Sequence, residues 1–213
     1  MIQYVEVALK DLLSEIGEAS TNEVLSDFSC KRNGSKESLN NDVELFLKEK
    51  SVLFESCGIA RTYLLFATDA RKKVILIGYY SIAFKSFAFQ TSVSIKQRKI
   101  IAGHHYFQKG PLPAILIGQL AKNYSDNALG GSLIYGREIL SSALSRIKEA
   151  YKTIGFTLIY LECKDVPFLR SFYQDHGFEL HVNSDGTPCR NDDSDPLLIY
   201  IAPVKILDKI ISK

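Results

Sequence analysis

The stretch Leu120-Ala-Lys-Asn-Tyr-Ser-Asp-Asn-Ala-Leu-Gly-Gly-Ser-Leu-Ile134 decides the fold, because an apolar strand ends in it and an amphipathic helix follows it. The turn between them is built from the small residues Ala128, Gly130, Gly131 and Ser132. Small residues let an anion approach peptide N–H groups that a Cβ atom would otherwise screen. Because the first N–H groups of a helix lack intrahelical acceptors and carry a partial positive charge, this turn predicts a phosphate-binding site.

Two common phosphate motifs do not fit the turn. The dinucleotide fingerprint G-x-G-x-x-G is incomplete, and no acidic residue ends a second strand at the expected distance. A Walker loop needs Gly-Lys-Ser/Thr, which does not follow. These absences disfavour a dinucleotide site and exclude a Walker site, and a glycine pair alone is also typical of a loop or helix start with no ligand.

Apolar periodicity predicts the elements after the turn. A helix of about five turns runs from Leu133 towards Gly155, with apolar residues at three- and four-residue steps. Thr157–Cys163 is predicted to be a buried strand. A shorter helix is predicted to start near Asp165-Val-Pro167, where Asp165 can act as the N-cap, and to stop at Gly177.

The remaining strands are predicted from runs of β-branched and apolar residues. Two of them, separated by Thr68–Lys73, indicate an antiparallel hairpin. Another contains Gly118, which suggests a bulge or a close backbone approach. The polar segment from Asn183 to Pro196 is predicted to be an exposed loop. The runs are 62–67, 74–83, 114–121, 178–182 and 197–202.

Two motifs at a fixed separation resemble the GNAT acyltransferase superfamily. Asn127-x-x-Gly130-x-Ser132 stands where that superfamily has an Arg/Gln-x-x-Gly-x-Gly/Ala coenzyme A turn, and Phe172-Tyr173-x-x-x-Gly177-Phe178 resembles its Phe-Tyr-x-x-x-Gly-Phe helix end. The resemblance implies an α/β (mixed α+β) fold with a central, mostly antiparallel twisted sheet flanked by helices. It also implies acetyl-CoA as cofactor, its pantetheine arm bound between splayed strands.

Upstream segments resemble, within that superfamily, the branch containing the acetyltransferase toxins of toxin-antitoxin pairs, which acetylate charged tRNA. This resemblance implies tRNA and an antitoxin as partners to be tested. The segments are Phe28-Ser-Cys30, Leu45-Phe-Leu47, Gly58–Tyr63, Gly78–Ile82 and Leu116–Ala121.

The resemblance also implies the site residues. Tyr173 matches the tyrosine that protonates the leaving thiolate, and a phenol holds its proton at neutral pH. Asn127 stands in place of the usual Arg or Gln and offers no charge to a pyrophosphate, and Ser132 adds a side chain at the turn. The cofactor-binding residues implied are Leu120, Ala121, Lys122, Asn127, Ala128, Leu129, Gly130, Gly131 and Ser132.

A general base is not evident from the sequence. Gln119 stands on the strand that often carries a glutamate in the superfamily, and Glu162, Asp126, His104 and His105 are reserve candidates. An amine that is already neutral, such as the α-amine of an aminoacyl ester, needs no strong base. The missing base is compatible with that acceptor.

Composition bounds the architecture. With 213 residues, 46% of them hydrophobic, and a net charge of +2, the chain is predicted to be a single domain, residues 1–213, with its core at about 25–202. Residues 5–16 and 204–213 are predicted to be amphipathic helical extensions that cover a surface or form a homodimer. The near-balanced charge gives no strong indication of nucleic-acid binding, although Arg71–Lys73 and Lys96–Lys99 are local basic stretches.

The expected location is the cytoplasm, without a membrane partner, because neither a signal peptide nor an apolar run of about 20 residues is present. Four cysteines, Cys30, Cys57, Cys163 and Cys189, show no metal-binding spacing, so no metal site or disulfide framework is predicted. Cys163, at the end of a buried strand, is the expected core thiol.

Three functional hypotheses remain. The leading one is an N-acetyltransferase that moves an acetyl group from acetyl-CoA to a primary amine by direct attack, with the acceptor left open. The first alternative is a toxin-type enzyme that acetylates the amino acid of charged tRNA. The second is a catalytically degenerate acyl-CoA-fold protein that binds a partner, which the departures at Asn127 and Ser132 would explain.

Overall fold

The computed structural model describes residues 3–32, 41–68, 72–102 and 110–207. Its strands form a seven-stranded, mostly antiparallel sheet in the order β1-β2-β3-β4-β5-β7-β6. The strands are β1 Tyr4–Ala8, β2 Arg61–Thr68, β3 Val74–Phe87, β4 Leu112–Lys122, β5 Leu158–Cys163, β6 Glu179–Leu180 and β7 Leu198–Pro203. The helices are α1 Leu9–Ser26, α2 Asn41–Leu45, α3 Ser51–Ser56, α4 Ile95–Ala102, α5 Gly136–Thr153 and α6 Pro167–Asp175, with a π-helical turn at Phe46–Lys50. Among the residues described, no helix is long and apolar enough to span a bilayer.

The chain divides into two compact units. The first unit comprises Met1–Ala83 and Gln119–Ala143, and the second comprises Phe84–Gly118 and Leu144–Lys213. Each is described separately below. The single-domain organisation stays a prediction.

The first unit contains the predicted hairpin. β2 and β3 pair antiparallel up to Thr68↔Val74, which confirms the hairpin prediction. The sequence predicts a helix over residues 5–16, but residues 5–8 are extended. They belong to β1, which pairs antiparallel with β2 along its length. Helix formation starts only at Leu9. The core of this unit contains Leu9, Leu25, Phe28, Cys30, Phe46, Leu47, Leu64, Leu76 and Tyr79.

The second unit contains the parallel pair of the sheet. β4 pairs with β5 from Ala114↔Leu158 to Ile117↔Leu161, and β7 pairs antiparallel with both β5 and β6. The register with β5 ends just before Gly118, whereas β4 continues to Lys122. The predicted strand 114–121 lies within β4, and the expected bulge or close backbone approach at Gly118 stays a prediction.

The polar segment 183–196 is exposed as predicted at 184–187 and 192–196, but its middle is not. The bridges Val182↔Pro188 and Arg190↔Leu198 extend the sheet into it. Cys189 is fully buried and belongs to the core of the second unit, together with Phe87 and Tyr160. Burial of this thiol holds the middle of the segment against the sheet. Cys30 and Cys163 are also buried, Cys57 is exposed, and none of these four cysteines, all within the described residues, forms a disulfide.

Two further boundaries differ from prediction. α5 begins at Gly136 rather than directly after Ser132, because residues 129–131 form a separate 3-10 turn. The Glu138 carboxylate then accepts the Tyr135 N–H at 2.7 Å and caps the helix start. At the C-terminal end, Val204–Ile206 form a 3-10 turn. Most of the predicted C-terminal helix, residues 208–213, lies outside the described residues.

Candidate active site

Asn123 fixes the start of the predicted phosphate turn. Its side-chain oxygen accepts the N–H groups of Ser29 at 3.0 Å and Ser125 at 2.9 Å, and its amide nitrogen donates to the Leu76 carbonyl at 2.8 Å. Its backbone N–H donates to the Ile77 carbonyl at 2.9 Å. The residue is fully buried. Asn123 therefore attaches the turn both to β3 and to the segment after α1.

We expect Asn123→Ala to lower the free energy of unfolding by about 3 kcal/mol, because one buried and two partly buried backbone groups lose their partners at about 1 kcal/mol each. Urea unfolding measures the loss. Asn127→Ala is the matched control, because the side-chain hydrogen bonds of this neighbouring asparagine are exposed, so its loss should be smaller. A change below about 1 kcal/mol for Asn123→Ala would contradict the anchoring role.

The sequence predicts free peptide N–H groups in the turn, but in the structure they are hydrogen-bonded. The N–H groups of residues 128–132 donate to carbonyls within the turn, at 3.0 to 3.3 Å. Ser125 accepts two of these hydrogen bonds, from Ala128 and Gly130. An anion can bind these nitrogens only when the bonds open. The sequence pattern identified the turn but not the internal pairing of its amides.

Three consecutive residues of the turn have left-handed backbone conformations. Leu129 has φ +50°, Gly130 has φ +60° and Gly131 has φ +79°. Such a conformation costs a residue with a Cβ atom about 1–2 kcal/mol. Leu129 adopts it with its side chain 64% exposed, so packing returns little stabilisation. Strain of this kind is concentrated at binding and catalytic sites in proteins.

Glycine is required at 131 for a second reason. A Cβ atom at Gly131 would lie 2.9 Å from two carbon atoms of the Tyr124 ring. At Gly130 no atom lies within 4 Å of that position, so only the backbone conformation favours glycine there. Gly130 is therefore favoured by its backbone conformation alone, and Gly131 also by the close approach of the Tyr124 ring.

Asn127 does not present a free side chain to a ligand. Its amide nitrogen donates to both carboxylate oxygens of Asp27, at 2.9 and 3.0 Å, and its oxygen accepts from the Lys73 ammonium at 2.9 Å. The side chain thus bridges an anion and a cation that are distant in sequence. Through this contact Lys73 brings to the turn a positive charge that the motif itself lacks.

The hydroxyl of Ser125 is an unsatisfied polar group in the turn. Its oxygen is buried and has no hydrogen-bond partner among the described residues. Buried hydroxyls without partners are uncommon, because burial without a hydrogen bond is unfavourable. A bound polar ligand at the turn would supply the missing partner. Nearby, the Arg137 guanidinium lies 5.0 Å from the ring centroid of the exposed Tyr135.

The last residues of β4 are half-buried. Leu120, Ala121 and Lys122, all predicted to bind the cofactor, lie in this segment. The Lys122 ammonium lies 5.3 Å from the ring centroid of Tyr124. Burial, and secondarily the charge of Lys31, lower the pKa of Lys122. Lys122 therefore lies within the electrostatic reach of a second lysine.

A cleft of about 710 Å³ adjoins the turn within the first unit. Its charged lining residues are Asp27, Lys31, Arg32, Lys48 and Asp126. Three cations face two carboxylates, and Asp27 is also hydrogen-bonded to Asn127. Lys48 is also ion-paired with Glu44 at 2.8 Å, so the cleft offers cations to an anionic ligand without a net excess of positive charge.

Of the predicted basic stretch Arg71–Lys73, Arg71 lies outside the described residues, and Lys73 donates to Asn127, which lines the cleft. The second stretch, Lys96–Lys99, lies on α4. Within α4, Arg98 donates to the carbonyls of Val93 and Gln90 at 3.0 and 2.8 Å. Arg98 thus has a local structural role.

Tyr173 is held in place by the helix end that contains it. The Phe178 N–H donates to the Tyr173 carbonyl at 3.0 Å, and the Gly177 N–H donates to Gln174 at 3.0 Å. These bonds, with φ +82° at Gly177, form a Schellman motif. Its characteristic apolar contact joins the rings of Tyr173 and Phe178, whose centroids are 6.1 Å apart. The Phe-Tyr-x-x-x-Gly-Phe pattern therefore has a direct structural cause.

The predicted cap of α6 is wrong. Val166 is the N-cap residue and makes no side-chain capping bond. Asp165 instead accepts hydrogen bonds from Arg170 at 2.7 Å and Arg190 at 2.6 Å. These two hydrogen bonds lower the pKa of Asp165. Pairing with two arginines thus competes with the capping role.

Tyr173 lies in a buried aromatic environment. It is 8% exposed, and its ring lies 5.1 Å from Phe172 and 6.0 Å from Tyr200, measured between centroids. Burial, and secondarily the Cys163 thiol, raise its pKa well above the usual value for a phenol. The side chain therefore remains protonated throughout the physiological pH range, as a proton donor requires.

Glu162 is the one reserve base described in the same unit as Tyr173, and it faces away from the Tyr173 side of β5. Glu162 precedes Cys163 on β5, so its side chain is on the opposite face of the strand, where Asn191 donates to it at 2.7 Å. Burial raises the pKa of Glu162. Asp126 is exposed in the turn, and His104 and His105 lie outside the described residues. No group of acidic, histidine and cysteine residues in the described part of the chain could hold a metal ion.

No protein-family model matches the sequence, and no curated protein is significantly similar to it. Solved structures are similar to it in fold. A tyrosine-to-phenylalanine mutant of KacT has a TM-score of 0.63 at 18% identity, covering 98% of this chain and 99% of that one. A tyrosine-to-phenylalanine mutant of the toxin AtaT, bound to the C-terminus of the antitoxin AtaR and to acetyl-CoA, has a TM-score of 0.61 at 16% identity, covering 99% of each chain.

AtaT complexed with acetyl-methionyl-tRNAfMet is similar to the same extent. Its TM-score is 0.60 at 17% identity, covering 98% of this chain and 99% of AtaT. These likenesses confirm the predicted GNAT-like mixed α+β fold. At such low identity they establish the fold alone.

Proposed function

We propose that the chain is an acetyl-CoA-dependent N-acetyltransferase that acts on a primary amine. The observation that carries the proposal is the likeness in fold, over nearly the whole chain, to a toxin solved with acetyl-CoA. The buried tyrosine at the end of α6 supports it independently, because the sequence motif alone singled out that residue.

The residues of the turn fit a diphosphate group in part. The unsatisfied Ser125 hydroxyl and the cation Lys73 favour a polar anionic ligand. Leu120, Ala121 and Lys122 would hold the cofactor arm, and residues 127–132 its diphosphate. Binding by the turn amides requires the internal hydrogen bonds of residues 128–132 to exchange for bonds to phosphate oxygens.

Bound acetyl-CoA would supply an activated thioester to the amine. In this proposal Tyr173 holds a proton and delivers it to the departing sulfur as the carbon–sulfur bond breaks. A backbone N–H at Leu120 or Ala121 stabilises the negative charge on the acetyl oxygen. The amine attacks directly, so no nucleophilic side chain is needed.

A second candidate is the acetylation of the amino acid on charged tRNA. Two observations favour it: AtaT was solved with acetyl-methionyl-tRNAfMet, and the cleft beside the turn carries Lys31, Arg32 and Lys48. Phosphates of an RNA backbone are suitable ligands for such cations. This acceptor needs no strong general base, consistent with the positions of Glu162 and Asp126. An antitoxin as partner and a cytoplasmic location accompany this proposal.

The assay is acetyl transfer from radiolabelled acetyl-CoA to a bulk aminoacylated tRNA pool. We expect label on the aminoacyl ends and none on deacylated tRNA, which is the matched control. Labelling of polyamines or peptides in place of aminoacyl ends would support the acetyltransferase proposal and contradict charged tRNA as the acceptor. Calorimetry with acetyl-CoA distinguishes both enzymatic hypotheses from the third one, a catalytically degenerate acyl-CoA-fold protein. The absence of binding heat at millimolar acetyl-CoA would favour the degenerate protein.

A further inference from the structure

Tyr200 has a buried hydroxyl whose presence packing does not explain. The residue lies on β7 in the second unit and is 0% exposed. Its hydroxyl has no hydrogen-bond partner among the described residues. A phenylalanine would fill nearly the same volume without burying an unsatisfied polar group. A hydroxyl retained under these conditions points to a function outside packing.

The aromatic neighbour of Tyr200 on the α6 side is Tyr173. The two ring centroids are 6.0 Å apart, with the ring planes inclined by 40°. Tyr200 pairs with Leu161 across β5 and β7, and Cys163, two residues further along β5, is on the same face as Leu161. The three protic groups Tyr173, Tyr200 and Cys163 therefore form one buried cluster.

The charged groups near this cluster are Asp165 and Arg170. Asp165 is paired with both Arg170 and Arg190, at the exposed edge of the cluster. The negative charge of Asp165 raises the pKa of Tyr200, and the positive charge of Arg170 lowers it. No charged side chain is hydrogen-bonded to either phenol among the described residues, so a negative charge on Tyr173 has no cationic partner there.

We propose that Tyr200 is a positioning residue for Tyr173, and that its hydroxyl donates a hydrogen bond to the Tyr173 oxygen after that oxygen gives its proton to the leaving sulfur. The inference rests on the proposed function. In the step, the amine nitrogen bonds to the acetyl carbon, the carbon–sulfur bond breaks, and the Tyr173 proton moves to sulfur. The acylated amine releases a proton to water, and Tyr173 then regains one from water.

A hydrogen bond to the phenolate matters because the site is buried. An anion transferred from water to such an environment is strongly disfavoured unless donors reach it. The bond to an ionised acceptor is stronger than one between neutral groups. The Cys163 thiol is a weaker donor than a phenol. Tyr200 is therefore the best donor in the cluster.

The test compares Tyr200→Phe with Tyr160→Phe, using acetyl-CoA and aminoacylated tRNA as substrates. Tyr160 is a buried tyrosine on β5 that packs against Phe87, away from Tyr173. We expect Tyr200→Phe to lower kcat about tenfold, with the KM for acetyl-CoA unchanged and the melting temperature equal or higher. Tyr160→Phe should leave kcat unchanged.

The double variant distinguishes the positioning role from an independent effect. If Tyr200 acts through Tyr173, then adding Tyr200→Phe to Tyr173→Phe should cause no further loss of kcat. The inference about Tyr200 is overturned if kcat of Tyr200→Phe is within twofold of wild type, or if the double variant loses kcat additively. Either result leaves the proposed function intact. If Tyr173→Phe is itself fully active, then the proposed acid and its positioning residue both fail.

Discussion

Tyr173→Phe is expected to lower the rate of acetyl transfer by about ten- to a thousandfold, the range associated with losing a general acid. The affinity for acetyl-CoA should not change, because the ring and its contacts with Phe172 and Phe178 are retained. The effect arises because the departing thiolate no longer receives a proton from a buried group. The variant lacks only one oxygen atom, so its fold should be maintained.

Steady-state kinetics and calorimetry test this prediction together. A fall in kcat at constant acetyl-CoA affinity supports the role as acid, and Tyr160→Phe again provides a buried tyrosine control. Unchanged turnover would make Tyr173 a packing residue of the second unit. A loss of cofactor affinity equal to the loss of kcat would instead indicate a binding role.

Elements with local causes were predictable from the sequence. The Gly177 stop gave the end of α6, because a Schellman motif needs only a glycine and an apolar residue after it. The β2–β3 hairpin followed from two β-branched runs with a polar turn between them. In both cases the determining residues are neighbours along the chain, so the sequence pattern contains the interaction.

Features that depend on distant partners were not predictable. Asn127 appeared free in the motif, yet it is engaged by Asp27 and Lys73, which are 100 and 54 residues away in sequence. Asp165 could have capped α6 but pairs with Arg190, a residue 25 positions later. Such choices depend on which side chains the fold brings together. A short-range pattern does not contain that information.

The Tyr200 hydroxyl and the turn amides were also missed, for a different reason. Sequence identifies a residue type but not whether its polar atoms find partners. The five bonded amides of residues 128–132 and the unsatisfied hydroxyls of Ser125 and Tyr200 become visible only when each donor is paired with its acceptor. The sequence therefore located the turn but not its resting hydrogen bonds, and the role of the turn as a cofactor site stays a prediction.

The second large effect concerns stability at acidic pH and depends on His181. The residue is 3% exposed, lies between Phe87 and Phe89, and its Nε2 atom has no partner among the described residues. Burial lowers its pKa to about 4, from the usual 6.5 of a histidine. In the folded state the imidazole therefore stays neutral at pH values where the unfolded chain is protonated.

The sign of the effect follows from this difference. Below about pH 6.5 the unfolded state binds a proton that the folded state does not, so the free energy of unfolding falls as the pH decreases. The fall continues until about pH 4, where the folded state is also protonated. At about 1.4 kcal/mol per pH unit, the total loss over this interval is about 3 kcal/mol. Above pH 6.5 this residue contributes no pH dependence.

His181→Phe isolates this contribution from those of the carboxylates. A phenylalanine suits a site already bordered by two phenylalanine rings, so stability at pH 7.5 should be equal or greater. Urea unfolding of both proteins between pH 4 and 7.5 gives two curves, and their difference should grow by about 3 kcal/mol towards pH 4. Parallel curves would mean that the imidazole reaches solvent in the folded state, because only a hydrated ring titrates alike in both states.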